Sequence, residues 1–164
     1  MAVILKTVVF ASIFVSLTFI LLPSRILALT GVTSPVMLGW QQYTGMVLGA
    51  AGAALGLWCV GAFALIGKGT PAPIDPPRNL VVRGPYRFVR NPMYISGVFV
   101  LSGTALYFGS LSVFLFACAL LLISHLFVQF KEEPSLRNKF GSDYESYCSQ
   151  VHRWLPSSGA GLKE

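Results

Sequence analysis

Charge is scarce in this chain. Only 11% of its 164 residues are Asp, Glu, Lys or Arg, 6 acidic against 12 basic, while 54% are apolar. Soluble domains carry about 25% charged residues, so this composition, with a mean hydropathy of +0.68, excludes an ordinary water-soluble fold. Cysteine is rarer still: Cys59 and Cys118 sit inside apolar runs and Cys148 stands alone near the C-terminus. No disulfide framework and no metal-ligand spacing is visible, and the three are expected to pack as small apolar residues. No basic stripe lies outside a membrane-flanking context, which excludes nucleic acid as a partner.

Long apolar runs are what the chain has instead. A helix needs ~20 apolar residues to cross the hydrocarbon of a bilayer, and four segments qualify, about 3 to 22, 42 to 66, 93 to 109 and 111 to 130. The expected fold is an all-α integral membrane protein of about four transmembrane helices, a single membrane domain over 1–164. Residues 1–77 hold the first two helices and a linker, and 78–156 hold the core. Lys6 ahead of the first run gives it the look of a signal peptide, but no small-x-small cleavage site follows, so it is read as a helix that stays. The last two runs, separated only by Gly109-Ser110, read as a tight hairpin.

Basic residues are unevenly placed. Lys68, Arg78, Arg83, Arg87 and Arg90 fill the 67–92 loop, and Lys131, Arg137, Lys139, Arg153 and Lys163 fill the tail, whereas 23–39 holds only Arg25. The positive-inside rule then puts both termini and the 67–92 loop in the cytoplasm, where anionic lipid headgroups account for several of these cations. Gly45, Gly49, Gly52 and Gly56 give two small-xxx-small spacings in the second run, a surface for close approach of another helix. They are not a nucleotide loop, because the run is neither GxGxxG nor preceded by a strand. Between 67 and 79, glycines and prolines impose an irregular connection.

Chemistry-bearing residues cluster at two places. In the first, Asn91 followed by Pro92 reads as a cap and first turn, starting a helix at Pro92 with its positive dipole end beside Arg87 and Arg90. Such an end is suited to a carboxylate or phosphate. In the second, His125, Gln129 and Glu132 follow at spacings of four and three and share one face of a continuous helix. Polar groups on an intramembrane face usually look into a protein cavity. Glu132 and Glu133 are adjacent carboxylates that repel, and the remedies are pairing with the loop arginines or with a bound ammonium. Beyond them, Gly141 stops a helix, and Ser142 to Glu145 has the form of a capping box opening another. Its stripe of Tyr144, Tyr147, Cys148 and Val151 suits a short interfacial helix that closes the site from the water side.

The run Gly84-Pro85-Tyr86-Arg87-Phe88-Val89-Arg90-Asn91-Pro92-Met93-Tyr94, then Glu132-Glu133 with Leu136, Phe140-Gly141, Tyr144, Tyr147 and Val151 to Pro156, resembles the isoprenylcysteine carboxyl methyltransferase family, to which the phospholipid N-methyltransferases are related. The resemblance covers about residues 78 to 156. It implies an integral membrane enzyme that holds S-adenosylmethionine, without a Rossmann fold, between the last helices, the basic loop and the C-terminal segment. By position, Tyr86, Arg90, Asn91, Pro92 and Tyr94 match the family's RHPxY-containing cofactor motif, with Asn91 where histidine is often found. Glu132 and Glu133 match its paired glutamates. His152 replaces a common proline in the ending that Arg153, Trp154 and Pro156 preserve.

S-adenosylmethionine carries an ammonium, a carboxylate, a sulfonium and a flat adenine. These call respectively for a carboxylate, an arginine or helix N-terminus, aromatic faces and an apolar slot. The expected cofactor-binding set is Tyr86, Arg90, Asn91, Pro92, Tyr94, Gln129, Glu132, Glu133 and Tyr144. Toward the acceptor, Arg87 or Arg153 would orient a carboxylate, and a glutamate or His125 would take a proton from an amine. The expected partner is a hydrophobic or lipid-like methyl acceptor, a prenylcysteine-like carboxylate or a lipid amine, reaching the site from the surrounding membrane lipids. Two other readings stand beside this one: an NADPH-dependent membrane reductase with a related tail pattern, and a non-catalytic lipid-binding membrane protein.

Overall fold

Apolar runs of this length have one way to satisfy their amides in lipid, and the chain folds accordingly as helices. The structure, a computed structural model, describes residues 12–32, 34–35, 37–62 and 79–157. It contains α1 (Ser12–Leu29), α2 (Trp40–Ala62), α3 (Pro92–Phe108), α4 (Leu111–Phe140) and α5 (Ser142–Gln150), with a 3-10 turn at Gly84–Arg87 and no strand among the described residues. α1, α2 and α4 are long and apolar enough to cross a membrane, and α3 is a shorter apolar helix of the same character. The start of the first run, through residue 11, and the punctuated segment 63–78 lie outside the described residues.

α1 runs past its expected end, and α4 is continuous from its apolar run to the expected stop at Gly141, for the same reason. α1 continues to Leu29, carrying Pro23 and Arg25 on the helix rather than in a loop, and α4 continues to Phe140 through Pro134. Each contains a five-residue π-turn, Leu17–Leu21 and Val128–Glu132, that closes two residues before the proline. Proline lacks an amide and its ring clashes with the carbonyl four residues back. Widening the turn just upstream relieves that clash without ending the helix.

One compact unit comprises the chain up to Ala54 together with Ser96–Leu120. Its organising contact is backbone on backbone. A Cβ built on Gly45 would lie 2.7 Å from the Gly103 carbonyl, and one on Gly52 would lie 2.8 Å from the Ser96 carbonyl. α2 and α3 therefore touch through Gly45, Gly49 and Gly52: a Cβ on Gly103 would fall 2.6 Å from the Gly45 carbonyl and 2.5 Å from the Gly49 amide nitrogen, so the expected Gly45–Gly49 spacing is used and Gly52 extends it. Gly49 opens onto a groove of about 280 Å³ lined by Met46, Val100, Thr104 and Tyr107 among others. At one end of this pair, the Gln41 and Gln42 side chains donate to the carbonyls of Leu106 and Tyr107, at 2.9 and 3.4 Å. They bond carbonyls of the last turn of α3, where intrahelical partners run out; the Leu106 carbonyl also accepts the Gly109 amide at 3.2 Å. Gly109, at φ +63°, then reverses the chain, and buried Ser110 caps α4 through its side-chain oxygen to the Val113 amide. The expected hairpin is thus present, and Leu27, Ala105 and Val113 form the apolar core beside it.

The second unit comprises Leu55–Ile95 with the chain from Leu121 onward. Two small cores organise it. Cys59, Ala62, Val81 and Tyr86 form one; Tyr144, Tyr147 and Val151 form the other, with Leu136, Phe140 and Cys148 against them. The expected stripe of α5 is thus the buried one. The capping box, however, does not form. Gly141 at φ +51° occupies the cap position with no side-chain cap bond, its carbonyl accepts the Glu145 amide, and the Glu145 carboxylate is taken by Arg137 at 2.8 Å. An ion pair to the preceding helix outcompetes a local bond to the chain's own amide.

Gly103→Ala would drive a methyl to 2.5 Å from the Gly49 amide nitrogen. It is expected to cost about 1–3 kcal/mol by overpacking, whereas Gly49→Ala, whose Cβ meets nothing within 4 Å, is expected to be neutral or slightly stabilising. Thermal unfolding of the two variants in the same detergent checks this contrast.

Candidate functional site

The site is assembled within the second unit from three stretches: the 3-10 turn and first turn of α3, the π-turn region of α4, and the irregular tail after α5. Glu133 is its centre. The side chain is only 4% exposed. Arg153 forks onto it, Nε to Oε1 at 2.7 Å and Nη2 to Oε2 at 2.9 Å. Arg90 approaches Oε1 at 3.3 Å, and Arg137 reaches Oε2 at 4.0 Å. Donating to Glu133 holds the Arg153 guanidinium protonated even more firmly than arginine's ordinary value requires. Two partly buried guanidiniums thus converge on one carboxylate, since Arg137 also serves Glu145. Positive charge is in local excess.

Glu132 is placed differently. It accepts the Tyr94 hydroxyl at 2.9 Å and forms no ion pair among the described residues. The π-turn ends between the two glutamates, so their backbones lie in turns of different width and their carboxylates go to different partners. The adjacent carboxylates are therefore stabilised separately, one by arginines and the other by a neutral hydroxyl.

The tail is stitched to the loop by main-chain bonds. Arg90 donates its amide to the His152 carbonyl at 3.0 Å, the Asn91 carboxamide donates to the Arg153 carbonyl at 3.2 Å, and the Ser157 amide donates to the Phe88 carbonyl at 2.8 Å. Asn91, buried ahead of α3, thus spends its amide nitrogen on the tail; Pro92 is fully buried beside it. The Tyr147 hydroxyl donates to the Tyr86 carbonyl at 2.6 Å and fixes the 3-10 turn against α5. Burial first, and then neighbouring Cys59 and Glu132, push the Tyr86 hydroxyl well above the usual phenol range. Burial does the same for Tyr144 and Tyr147. All three remain neutral donors.

Of the expected site residues, Arg90, Asn91, Pro92, Tyr94, Glu132, Glu133, Tyr86 and Arg153 come together in this unit. Tyr144 is buried beneath them in the α5 core, and Arg87 closes the 3-10 turn, half-buried. Gln129 does not join. It is exposed on the π-turn, whose width breaks the face that spacings of four and three would make on a regular helix. His125 joins through a residue outside the expected set: Trp154 donates its indole N–H to His125 Nδ1 at 2.9 Å. The Trp154 ring lies edge-on to Tyr94, centroids 6.3 Å apart. Cys148 accepts a bond from Arg90 Nη1 at 2.7 Å, so it is more than packing; Cys118 is exposed, not packed, and Cys59 is fully buried as expected. Trp154 stood in the matching tail, and Cys148 lies one turn after Tyr144, but neither position by itself announced its partner.

A carboxylate without an ion-pair partner among the described residues, clustered guanidiniums and packed aromatic rings thus stand together at the end of an apolar helix. The phospholipid methyltransferase family model matches residues 40–143, and the chain belongs to that family. It is an integral membrane enzyme, a methyltransferase that uses S-adenosylmethionine and acts on a lipid-type acceptor. An uncharacterized protein of Haemophilus influenzae is 33% identical over 63 residues, 38% of this chain and all of that protein. No solved structure matches the chain. Membership decides for the methyltransferase over the reductase and the non-catalytic lipid binder.

Tyr147→Phe keeps the ring in its core and removes only the 2.6 Å bond to the Tyr86 carbonyl. Losing that buried hydrogen bond is expected to cost about 0.5–1.5 kcal/mol, read as a lower unfolding midpoint in detergent.

Proposed function

We propose that the cluster around Glu132 and Glu133 is the S-adenosylmethionine site, and that it serves methylation of a phospholipid amine at the cytoplasmic face. One observation carries this reading. Glu132 has no cationic partner among the described residues, and the Nε of Arg90, a buried donor, has no acceptor. The cluster therefore offers one free negative point and one free positive donor, the complement of an amino acid's two ends.

In this reading Glu132, oriented by Tyr94, receives the ammonium. Arg90, braced by Glu133 and close to the N-terminal end of α3, receives the carboxylate, and Tyr86 with Pro92 supplies apolar and aromatic surface. Glu133 is a brace, because its oxygens are already engaged by Arg153 and Arg90. S-adenosylmethionine supplies an electrophilic methyl group on a sulfonium. The remaining work of the chain is to hold a nucleophile in line with it and exclude water, where positioning and desolvation dominate. α4 favours an acceptor that comes from the bilayer, since its apolar side chains Leu122, Ile123 and Leu126 are 59%, 62% and 45% exposed. The excess of guanidinium at the site supports one second reading, a prenylcysteine-like carboxylate as acceptor, which the residues shared with the isoprenylcysteine carboxyl methyltransferases also favour.

Purified protein in nanodiscs is expected to retain labelled S-adenosylmethionine. Glu132→Gln is expected to weaken retention at least about tenfold, the order of one charge-assisted hydrogen bond. Tyr94→Phe is expected to weaken it less. Undiminished retention in Glu132→Gln would overturn this placement. Methyl transfer to phosphatidylethanolamine, set against transfer to S-farnesylcysteine, decides between the two acceptors.

A further inference from the structure

His125 lies on the apolar part of α4, seven residues before Glu132 and so roughly 10 Å deeper along the helix. A polar ring at that depth needs its hydrogen-bonding capacity accounted for. Half of the account is visible. Indole N–H is a donor with no acceptor function, so the His125 Nδ1 that accepts it at 2.9 Å carries no proton. The neutral ring must then carry its proton on Nε2. That Nε2–H has no partner among the described residues. It is also not among the buried groups left unsatisfied, so it is open to whatever fills the adjoining space.

The surroundings of His125 say what that is. Residues three before and four after it, Leu122 and Gln129, are exposed, as is Leu126 next to it. On its other side stands the Trp154 ring, centroid 6.0 Å away, which also touches Tyr94, the residue that orients Glu132. His125 therefore stands where the lipid-facing surface of α4 meets the aromatic wall of the cofactor site. Trp154 is held there firmly: Arg153 beside it forks onto Glu133, and Val151 is fully buried.

We propose that Trp154 is a positioning residue that fixes His125 as an Nε2–H donor, and that His125 uses this donor to bind an oxygen of the lipid-type acceptor rather than to take a proton from it. The oxygen is a phosphate oxygen if the acceptor is a phospholipid amine and a carboxylate oxygen if it is a prenylated cysteine. The chemistry of recognition is the same for both. This rests on the methyltransferase reading of the site, but the state of the ring can be read without turnover.

The test uses the full chain with ¹⁵N-histidine in phosphatidylcholine nanodiscs, with His152→Gln assigning the two rings. His125 is expected to show an unprotonated Nδ1 and a protonated Nε2, and Trp154→Phe, which keeps a ring but loses the donor, is expected to give a mixture of tautomers. Without cofactor present, adding phosphatidylethanolamine or S-farnesylcysteine is expected to shift the Nε2 resonance. Whichever acceptor does so identifies the source of the oxygen. In turnover, His125→Gln, which retains an N–H near the Nε2 position, is expected to stay within about threefold of the original acceptor KM. His125→Leu is expected to raise it at least about tenfold with S-adenosylmethionine affinity unchanged. A proton on Nδ1, a tautomer indifferent to Trp154→Phe, an Nε2 resonance moved by neither acceptor, or equal losses in Gln and Leu would each overturn the proposal. Failure to bind S-adenosylmethionine would instead sink the cofactor placement, and it is measured separately.

Discussion

The buried carboxylate of Glu133 is the constraint on which the site depends. A carboxylate 4% exposed at the end of an apolar helix is tolerable only when paired and hydrogen-bonded. Here the pairing is supplied by two separate stretches of chain, Arg90 ahead of α3 and Arg153 in the tail. The desolvation cost of one side chain therefore obliges three segments to meet. Removing one partner of such a pair typically costs about 3–5 kcal/mol, because the other charge is left buried. The main-chain bonds between tail and loop then fix the register of that meeting to single residues.

The prolines set which carboxylate does what. Without the π-turn before Pro134, α4 would present Glu132 and Glu133 about 100° apart on one regular turn. With it, Glu132 goes to the Tyr94 hydroxyl and Glu133 to the guanidiniums. A π-turn inside an α-helix is often found at a functional site, and here its cause is local and legible: a residue that cannot donate sits two positions beyond it. The same device before Pro23 in α1 has no charged residues to sort and serves only to keep the helix continuous.

Much of this was legible in the sequence because membrane helices are dictated by length and hydropathy. The four runs as far as they lie among the described residues, the Gly109-Ser110 reversal, the helix start at Pro92 and the Tyr144-Tyr147-Val151 stripe all follow from local rules and appear. What failed to be legible depended on competition between local and distant partners. Glu145 looked like half of a capping box until Arg137 was near enough to take it. His125, Gln129 and Glu132 looked coplanar on a regular helix, and a proline further along changed the pitch. The glycine spacing announced a close helix contact, but not that its partner would be Gly103 of α3, whose backbone meets both Gly45 and Gly49. Trp154 carried no periodic signal, since it lies in irregular chain.

The two units divide the labour physically. In one, small residues bring backbones together and no charge is buried between the helices described; its stability comes from packing and from the side-chain amides of Gln41 and Gln42 that cap α3. In the other, two small apolar cores stand beside a network of ion pairs and hydrogen bonds centred on Glu133. A chain with so few charges has concentrated them where desolvation makes each one count more. An ion-paired brace surrounding one unpaired carboxylate is costly as pure structure, because the same volume packed with apolar side chains would be at least as stable. Its persistence in the folded chain is most simply explained by a ligand that completes the charge balance. In the proposed reading a zwitterionic cofactor would do this with its ammonium on Glu132 and its carboxylate on Arg90, which would leave the sulfonium methyl to be met by an acceptor from the lipid.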